Sequence, residues 1–403
     1  MRKSCLYGIL LLLSVLSFHP LCSGKVSRKK EKLDAMVERS LEVARQQALF
    51  MAETLKEHED MLPKTYADGK LEMRDYNWWT AGFYPGVLWL LYENSEDEEL
   101  LGLARHYTSI VEPVKHMTTH HDVGFIINNS FGHGYRLTGD PHYLEVIHTA
   151  SNSLITRFNP KIAAIRSWDW NNKNRWKYPV IIDNMMNLEM LCFASATSGD
   201  SRYVDIAKAH ANTTSRHHFR DDYSTWHVVS YDPETGLPHI KMTHQGYSDD
   251  SAWARGQAWG LYGYTMMYRE TGDPLYLEQA RRIAAFLVRH PRLPEDKVPY
   301  WDFDAPDIPD DVRDASAASI MASALLELSV LDKSRDSKLW YKTAVQQLRS
   351  LSSERYLAEP GTNGGFILMH ATGHKPGKSE VDVPLTYADY YYVEALMRLK
   401  KLR

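Results

Sequence analysis

The chain has few cysteines, and their positions limit what they can do. It has three in 403 residues, and Cys5 and Cys22 lie in or at the end of an apolar N-terminal segment. If that segment is removed, Cys192 is left alone, so no disulfide can form within the remaining chain. Cys192 stands in an apolar stretch with no basic neighbour, which favours a buried structural thiol over a nucleophile.

A positive net charge and a membrane-length apolar run are also missing. The formal net charge of −4 gives the chain no general attraction to nucleic acid or to an anionic membrane. The N-terminal apolar run, residues 6–16, is too short to span a bilayer. It follows Arg2 and Lys3 and precedes small residues, so it predicts a signal peptide over residues 1–24. We therefore expect export across an inner membrane, to the periplasm.

The signatures of cofactor and metal sites are absent as well. The sequence contains no glycine-rich phosphate loop, no serine nucleophile elbow, and no zinc or calcium-loop spacing. The adjacent pairs His120-His121 and His217-His218 lack the spacing that brings two helical histidines to one metal ion. We expect neither a metal nor a cofactor, so any chemistry must come from side chains.

What the sequence does contain is a short motif repeated at helix boundaries. Full copies occupy residues 138–145 (TGDPHYLE), 198–205 (SGDSRYVD) and 271–278 (TGDPLYLE), and looser copies begin at Ser95 and Ser334. Glycine suits a left-handed helix C-terminus, aspartate the next N-cap, and proline the first helical position. Each copy therefore predicts one helix end followed at once by a helix start.

The helices on the two sides of these turns differ in their apolar patterns. Those after the turns are amphipathic, as over 276–289 and 339–351, which predicts outer positions. Residues 30–55 supply the first outer helix. Helices before the turns are apolar or small nearly all round, which predicts inner positions: 82–92, 125–137, 185–197, 253–268, 315–331 and 385–399. Six outer–inner pairs, without a series of strands, predict an all-α fold, an (α/α)6 barrel forming a single domain over residues 25–403.

This order of helices predicts a closed end and an open end, which we call the mouth. The inner-to-outer turns are tight, whereas the outer-to-inner loops are long: 56–79, 115–123, 159–182, 220–251, 290–314 and 352–384. Long loops on a rigid scaffold are where function concentrates. Asp122 and Asp183 both precede inner helices at the mouth. Asp183 in its apolar surroundings is either a proton donor or a helix N-cap, and a second acid on the same surface strengthens the first interpretation.

The mouth loops are rich in tryptophan and in cationic side chains. An indole face suits the C–H face of a sugar ring, although loop packing is the alternative for any single tryptophan of this set: Trp78, Trp79, Trp168, Trp170, Trp176, Trp226 and Trp301. The basic residues are His120, His121, Lys173, Arg175, Lys177, His227, Lys241, His244, Arg255, His374, Lys375 and Lys378. In a chain of negative net charge this concentration indicates an anionic ligand, and scattered surface charge is the alternative.

Several segments resemble those of the unsaturated glucuronyl hydrolases, glycoside hydrolase family 88. They run in order through nearly all of the chain after residue 24: 121–125 (HDVGF), 181–187 (IIDNMMN), 245–259 (QGYSDDSAWARGQAW), 313–318 (RDASAA), 379–385 (SEVDVPL) and 389–392 (DYYY). The resemblance implies an (α/α)6 barrel. It also implies a substrate, a small anionic oligosaccharide whose non-reducing end is a 4,5-unsaturated uronic acid left by a polysaccharide lyase.

The resemblance further implies roles for individual residues. Asp183 would be the general acid/base, and Asp122 a second required aspartate, as electrostatic partner or nucleophile. Residues expected to line the uronate pocket are Trp79, His121, His227, Thr243, Gln245, Arg255 and Trp259. The cationic loop 374–379, with Lys375 and Ser379, is expected to contact the next sugar. A sulfated glycosaminoglycan fragment of heparin or chondroitin type is therefore our substrate hypothesis.

Three other functions share these features. One is hydrolysis of unsaturated galacturonyl–rhamnose from pectin on the same barrel. Another is a glycan-binding protein without turnover, against which the presence of both Asp122 and Asp183 argues. The third is a sugar epimerase, in which His121 and His227 would serve as the acid and base. In each case we expect an oligosaccharide or sugar ligand and a monomer or weak homo-oligomer.

Overall fold

The helices of the described residues alternate between an inner and an outer position. The computed structural model describes residues 23–58, 60–170 and 175–403. In chain order the helices are α1 (Ser23–Leu55), α2 (Phe83–Ser95), α3 (Glu98–Ile110), α4 (Val123–Ile127), α5 (His133–Thr138), α6 (Pro141–Ile155), α7 (Leu188–Ser198), α8 (Ser201–His217), α9 (Ala254–Thr271), α10 (Pro274–Arg289), α11 (Ala315–Leu331), α12 (Ser337–Leu351) and α13 (Thr386–Lys401). A π-helical segment, Asn128–Gly132, joins α4 and α5 into one inner element.

The inner helices form a closed ring. The ring runs α2, α4–α5, α7, α9, α11 and α13, each packed against the next, and α13 packs against α2 to close it. The outer helices α1, α3, α6, α8, α10 and α12 each lie against two inner neighbours. Apolar residues follow the same division: all nine residues from Phe83 to Leu91 in α2 are buried. The predicted (α/α)6 barrel is confirmed.

The repeated motif builds the tight turns as predicted. Gly139, Gly199 and Gly272 end inner helices with φ of 69°, 75° and 68°, in the left-handed region that glycine adopts without strain. The aspartate that follows each glycine accepts a backbone N–H from the first turn of the next outer helix. The chain therefore passes from an inner helix to an outer helix within these two adjacent residues.

The mouth loops contain short strands that the sequence pattern did not predict. In the described residues they form four small antiparallel sheets: β1 (Leu62–Ala67) with β2 (Lys70–Arg74), β3 (Phe158–Asn159) with β4 (Ala164–Ile165), β5 (Pro179–Ile181) with β6 (Val228–Tyr231) and β7 (Pro238–Met242), and β8 (Ala371–His374) with β9 (Ser379–Val383). Each strand is two to six residues long, too short for its alternation to stand out from a loop.

The N-terminal helix begins earlier than predicted, at Ser23 instead of residue 30. Residues 1–22 of the predicted signal peptide, with Cys5 and Cys22, lie outside the described residues, and the domain boundary at residue 24 stays a prediction. Cys192 is buried, and burial raises the pKa of its thiol to about 12, as expected for a structural cysteine. Among the described helices, none combines the length and the apolarity needed to cross a bilayer.

Candidate active site

The pairing of β5 with β6 brings Asp183 beside His227. Ile181, the last residue of β5, pairs with Val228, the first of β6, and the N–H of Ile182 donates to the carbonyl of His227 at 3.1 Å. Asp183, two residues after the end of β5, and His227, one residue before the start of β6, therefore lie at the same end of this sheet. His227 Nε2 lies 3.7 Å from Asp183 Oδ2, and both side chains are buried.

Ser167 joins the Asp122 segment to the same sheet. Its N–H donates to the carbonyl of Pro179, and its Oγ accepts the N–H of Ile181. On the other side, the carbonyl of Ser167 accepts the N–H of His121 at 2.8 Å. Because His121 immediately precedes Asp122, this hydrogen-bonded chain draws the two aspartate segments together, as their shared place at the mouth predicted.

The two aspartates open into one cavity of about 560 Å³. The cavity lies at the mouth and holds Asp122 and Asp183 on its wall. The other wall residues are Lys64, Asn77, Trp78, Trp79, Thr119, His120, His121, Trp168, Asp169, Trp170, Ile181, His244, Gln245, His374, Ser379 and Glu380. It is large enough for a sugar unit or two and carries the aromatic and ionisable groups that a carbohydrate site uses.

Asp183 is a buried acid with a raised pKa. It is 7% exposed, and burial raises the pKa of its carboxyl to about 7. The charge of Arg255 opposes this rise and the charge of Asp122 adds to it. The N-cap position of the helical turn Ile182–Asn187 belongs to Ile181, so the alternative interpretation of Asp183 as an N-cap is wrong. At neutral pH this carboxyl group is poised to hold or release a proton.

His227 is held as a neutral imidazole of defined tautomer. Its Nδ1 accepts the backbone N–H groups of His244 and Gln245, at 3.2 and 3.1 Å. An Nδ1 that accepts two hydrogen bonds carries no proton, so the single ring proton is on Nε2, which faces Asp183. Burial keeps the pKa of His227 well below its ordinary value, which maintains this neutral form.

The pKa of Asp122 is shifted in the opposite direction from that of Asp183. Burial would raise its pKa, but His121 and His120 outweigh this and hold it below its ordinary value of 3.8. His120 Nδ1 lies 3.1 Å from one carboxylate oxygen, and His121 Nε2 lies 3.4 Å from the other. Near neutral pH the pair thus combines an ionised carboxylate with a carboxyl group that is half protonated, an arrangement suited to acid/base chemistry.

Arg255 supplies the permanent positive charge beside this pair. Burial would lower its pKa, yet Tyr387 and Asp314 raise it above the ordinary value. Nη1 donates to the carbonyl of Thr372 at 2.5 Å and lies 3.3 Å from Asp314 Oδ2, and Nη2 donates to the carbonyl of Gly373 at 2.7 Å. The guanidinium is therefore fixed in direction, with its charge acting on Asp183.

Several buried polar atoms around the cavity have no hydrogen-bond partner among the described residues. They are Asp183 Oδ2, His227 Nε2, Trp259 Nε1, Arg255 Nε, Trp78 Nε1, Trp168 Nε1 and His374 Nδ1. Buried polar groups are normally satisfied, and binding sites are a common reason for an exception. Most of these atoms are donors, which suits a ligand rich in hydroxyl and carboxylate oxygens.

The remaining predicted site residues fall into two groups. Trp79, His121, Gln245 and Ser379 lie on the cavity wall. Trp259 is fully buried one turn after Arg255 on α9, near enough to favour the charged form of Asp183. Their roles stay predictions.

Thr243 and Lys375 are outside the wall that the described residues form. Thr243 Oγ1 accepts the N–H of Gly246 at 2.7 Å and so closes a turn. Lys375 is ion-paired with the buried Asp311, and its ammonium stands 5.2 Å from the centre of the Trp301 ring. Lys375 thus faces a neighbouring mouth loop in this structure.

The mouth histidines add less positive charge than their number suggested. Burial lowers the pKa of His121, His227 and His374, and it lowers that of His244 to about 4. These rings are neutral at pH 7. The cations beside the cavity include Arg255 and a lysine that the sequence did not single out, Lys64, which is itself ion-paired with two carboxylates. Lys173 of the predicted basic set lies outside the described residues.

Lys64 and Glu380 form an ion pair on the cavity wall. Lys64 Nζ lies 3.6 Å from Glu380 Oε1 and 3.1 Å from Glu72 Oε2, and its side chain is almost fully buried. A lysine close to Leu62, Pro63 and Tyr66 was the available signal for it. No group of three or more His, Cys, Asp or Glu side chains in the described residues is arranged to hold a metal ion.

Known proteins resemble this chain along most of its length. The family model of Glycosyl Hydrolase Family 88 matches residues 51–395. An unsaturated glucuronyl hydrolase of Formosa agariphila is 48% identical over 325 residues, 80% of each chain. An unsaturated chondroitin disaccharide hydrolase of Streptococcus pneumoniae is 36% identical, over 84% of this chain and 86% of the relative.

A solved structure also resembles this chain in both fold and sequence. The crystal structure of an unsaturated glucuronyl hydrolase specific for heparin superposes with a TM-score of 0.89 and 45% identity. The match covers 92% of this chain and 98% of that one. The similarity thus extends over the inner and outer helices and over the mouth loops alike.

Proposed function

Because the chain belongs to glycosyl hydrolase family 88, we propose that it removes a 4,5-unsaturated uronic acid from the non-reducing end of glycosaminoglycan oligosaccharides. Asp183 carries this proposal. It is a buried carboxyl group with a pKa raised to about 7, one unpartnered oxygen and an ionised aspartate nearby. Such a group is half protonated at neutral pH, which suits a general acid that later serves as a base.

The first step is proton transfer to the C4=C5 enol ether. Protonated Asp183 donates to C4, and positive charge develops at C5 and the ring oxygen. The negative charge of Asp122 favours protonated Asp183 before this step, and it stabilises the oxocarbenium character after it. Asp122 is therefore an electrostatic partner in this scheme.

The second step is the addition of water at C5. Asp183, now a carboxylate, accepts a proton from the attacking water, and a hemiketal forms. The C5–O5 bond of the hemiketal breaks to give a ketone at C5 and a hemiacetal at C1. The hemiacetal then collapses to an aldehyde and expels the next sugar, so that one water is consumed and the glycosidic bond is broken.

The histidine arrangement argues against the epimerase alternative. An epimerase that used His121 and His227 would need one ring to be protonated and to exchange protons with the substrate. His227 Nδ1 is engaged by two backbone N–H groups, and both rings have lowered pKa values. Neutral rings that donate through Nε2 are suited to hydrogen bonding a hydroxyl or the carboxylate pair.

The test is the loss of ultraviolet absorbance by the conjugated double bond of lyase-generated disaccharides. The wild-type chain should bleach heparin- or chondroitin-derived disaccharides, and D183N should lower kcat by roughly 10³-fold with binding retained. D140N, which alters a helix cap in a turn at the closed end, is the matched control and should keep wild-type kcat. Wild-type turnover by D183N would contradict the assignment, and exclusive cleavage of unsaturated galacturonyl–rhamnose would favour the pectin alternative.

Within this function, we propose that Lys378 recognises a sulfate group on the substrate. It lies in the turn between β8 and β9 beside the cavity residue Ser379, and it is exposed. Lys375, in the same turn, has its charge neutralised by Asp311 and serves as the matched control. K378E should raise KM for sulfated disaccharides and leave unsulfated ones unaffected, whereas K375E should affect both equally. An equal effect of K378E on both substrates would contradict sulfate recognition.

We also propose that the protein is exported to the periplasm and acts there as a monomer or weak homo-oligomer. The basic and apolar residues of the 1–24 segment support export. Expression of the full chain in a Gram-negative host should give a periplasmic protein whose N-terminal mass corresponds to cleavage near residue 24. R2E/K3E should reduce export. Cytoplasmic retention of the uncleaved wild-type chain would contradict the proposal, and light scattering would report the assembly state.

A further inference from the structure

Asn187 lies between the two aspartate segments of the site. It is fully buried at the end of the helical turn Ile182–Asn187, which begins beside Asp183. Its side chain points away from its own helix and contacts the segment that carries Asp122. Three separate contacts join the two segments at this residue.

The first contact replaces a helix cap. Asp122 occupies the N-cap position of α4, but its side chain makes no capping hydrogen bond. The N–H of Phe125, in the first turn of α4, donates instead to Asn187 Oδ1 at 2.8 Å. An aspartate at an N-cap normally accepts such an N–H with one carboxylate oxygen. Because the amide of Asn187 accepts it here, the Asp122 carboxylate is not engaged in capping its own helix.

The second contact orients His121. Asn187 Nδ2 is 3.4 Å from His121 Nδ1, and an amide nitrogen can only donate. His121 Nδ1 is therefore an acceptor, and the ring proton is on Nε2, 3.4 Å from Asp122 Oδ1. The histidine thus donates towards the carboxylate and favours its charged form.

The third contact is between main chains. Gly124 packs so closely on Asn187 that a Cβ at residue 124 would lie 2.6 Å from Asn187 Cα and 2.7 Å from Asn187 Cβ. Neither of these atoms is a flexible side-chain end that could move aside. The start of α4 is therefore in direct contact with Asn187, the residue before α7, which limits the separation of Asp122 from Asp183.

We propose that Asn187 is a positioning residue. From the helical turn that holds Asp183 it caps α4, the helix that follows Asp122, and thereby keeps the Asp122 carboxylate uncommitted to capping, oriented and close to Asp183. The inference rests on the proposed function, because it assigns Asn187 a part in the same acid/base pair. Asn187 contacts neither reacting carboxyl group itself and acts through Phe125, His121 and Gly124.

The kinetic test uses N187L, which keeps the branched shape of asparagine and removes both hydrogen bonds. We expect kcat on the unsaturated disaccharide to fall at least tenfold, with KM within threefold of wild type, because N187L acts on the Asp122 segment and leaves Arg255, Trp79 and Gln245 in place. N129L replaces another buried asparagine of the inner ring and controls for general loss of stability. A kcat for N187L within twofold of wild type, or a loss equal to that of N129L at the same thermal midpoint, would overturn the inference.

A spectroscopic test is independent of turnover. In protein labelled with ¹⁵N-histidine, the His121 signals are identified by their absence from H121Q. They should show an unprotonated Nδ1 and a protonated Nε2 in the wild type, and a changed tautomer in N187L. A wild-type His121 with its proton on Nδ1 would refute the inference. If the expected tautomer is seen but the wild type cleaves no unsaturated disaccharide, the proposed function fails and the role of Asn187 in holding the Asp122 segment stands.

Discussion

Two histidines with the same tautomer face the two aspartates of the site. His227 and His121 both accept a hydrogen bond on Nδ1 and direct Nε2 towards a carboxyl group. The aspartates nevertheless differ in charge. Desolvation prevails at Asp183, whereas at Asp122 it is outweighed by the neighbouring histidines together with Arg157. The proton donor and the stabilising anion of the proposed mechanism thus come from one residue type in two different environments.

The pH dependence of activity follows from these two pKa shifts. In the proposed mechanism Asp183 must start protonated, so kcat/KM should fall as the pH rises past about 7, its raised pKa. Asp122 must be ionised, and because its pKa is lowered below 3.8, activity should persist down to about pH 4. The negative charge of Asp122 raises the pKa of Asp183, so D122N should move the alkaline limb of its residual activity to lower pH.

Profiles of kcat/KM against pH for the wild type and D122N test this expectation. D169N, at another carboxylate of the cavity wall, serves as the control, because Asp169 is not among the largest influences on the pKa of Asp183. An alkaline limb of D122N that stayed in place or moved to higher pH would show that Asp122 does not act on Asp183 through its charge.

The Gly-Asp turns are the elements that make the barrel possible. Each pairs a left-handed glycine with a capping aspartate, so an inner helix ends and an outer helix begins within two residues. These turns leave the long loops to the other end. The tight end therefore contributes to stability, and the mouth is available for the site.

Substitutions in the turn at residues 272 and 273 should lower stability without changing activity. Gly272 has φ of 68°, and a Cβ at this residue would meet no atom within 4 Å, so G272A should cost only the conformational strain, about 1 kcal/mol. D273A removes the N-cap of α10 at a similar cost of about 1 kcal/mol. Each thermal midpoint should fall by about 1–2 °C with kcat unchanged. A large loss of kcat in either variant would show that the closed end is coupled to the site.

Across the whole molecule, the closed ring of inner helices is held together by ion pairs as well as by apolar packing. Arg269 in the last turn of α9 pairs with Glu189 of α7 and, at 2.7 Å, with Glu327 of α11. Arg398 of α13 pairs with the same Glu327 at 2.8 Å. Four of the six inner elements are thereby joined by one charge network inside the ring.

Removal of Arg269 should destabilise the barrel as a unit. R269M would leave Glu189 without its pairing cation, at a cost of about 2 kcal/mol, between the values for exposed and for fully buried pairs. Calorimetry should show one transition at a lower midpoint, because the ring unfolds as a whole. R202M, which removes an exposed pair with Asp200, is the matched control and should leave the midpoint unchanged. Equal midpoints for the two variants would show that the network contributes nothing.

The sequence by itself determined the helical scaffold of this protein and the end of it that carries the site. Turn chemistry and helix amphipathicity depend on residues within a few positions of each other, so the Gly-Asp turns, the inner and outer helices and the shared end of Asp122 and Asp183 are all readable from local pattern. The family resemblance of the 379–385 and 245–259 segments also indicated loops that do border the cavity, at Ser379 and Gln245.

Only the tertiary structure decided how charges and protons are arranged within the site. The neutral tautomer of His227 depends on backbone groups 17 and 18 residues away, and the cap on the Asp122 helix comes from an asparagine 62 residues from Phe125. The charge of Lys375 is neutralised by Asp311, 64 residues away. A local sequence pattern does not predict such contacts, because they form between segments that come together only when the ring of helices closes.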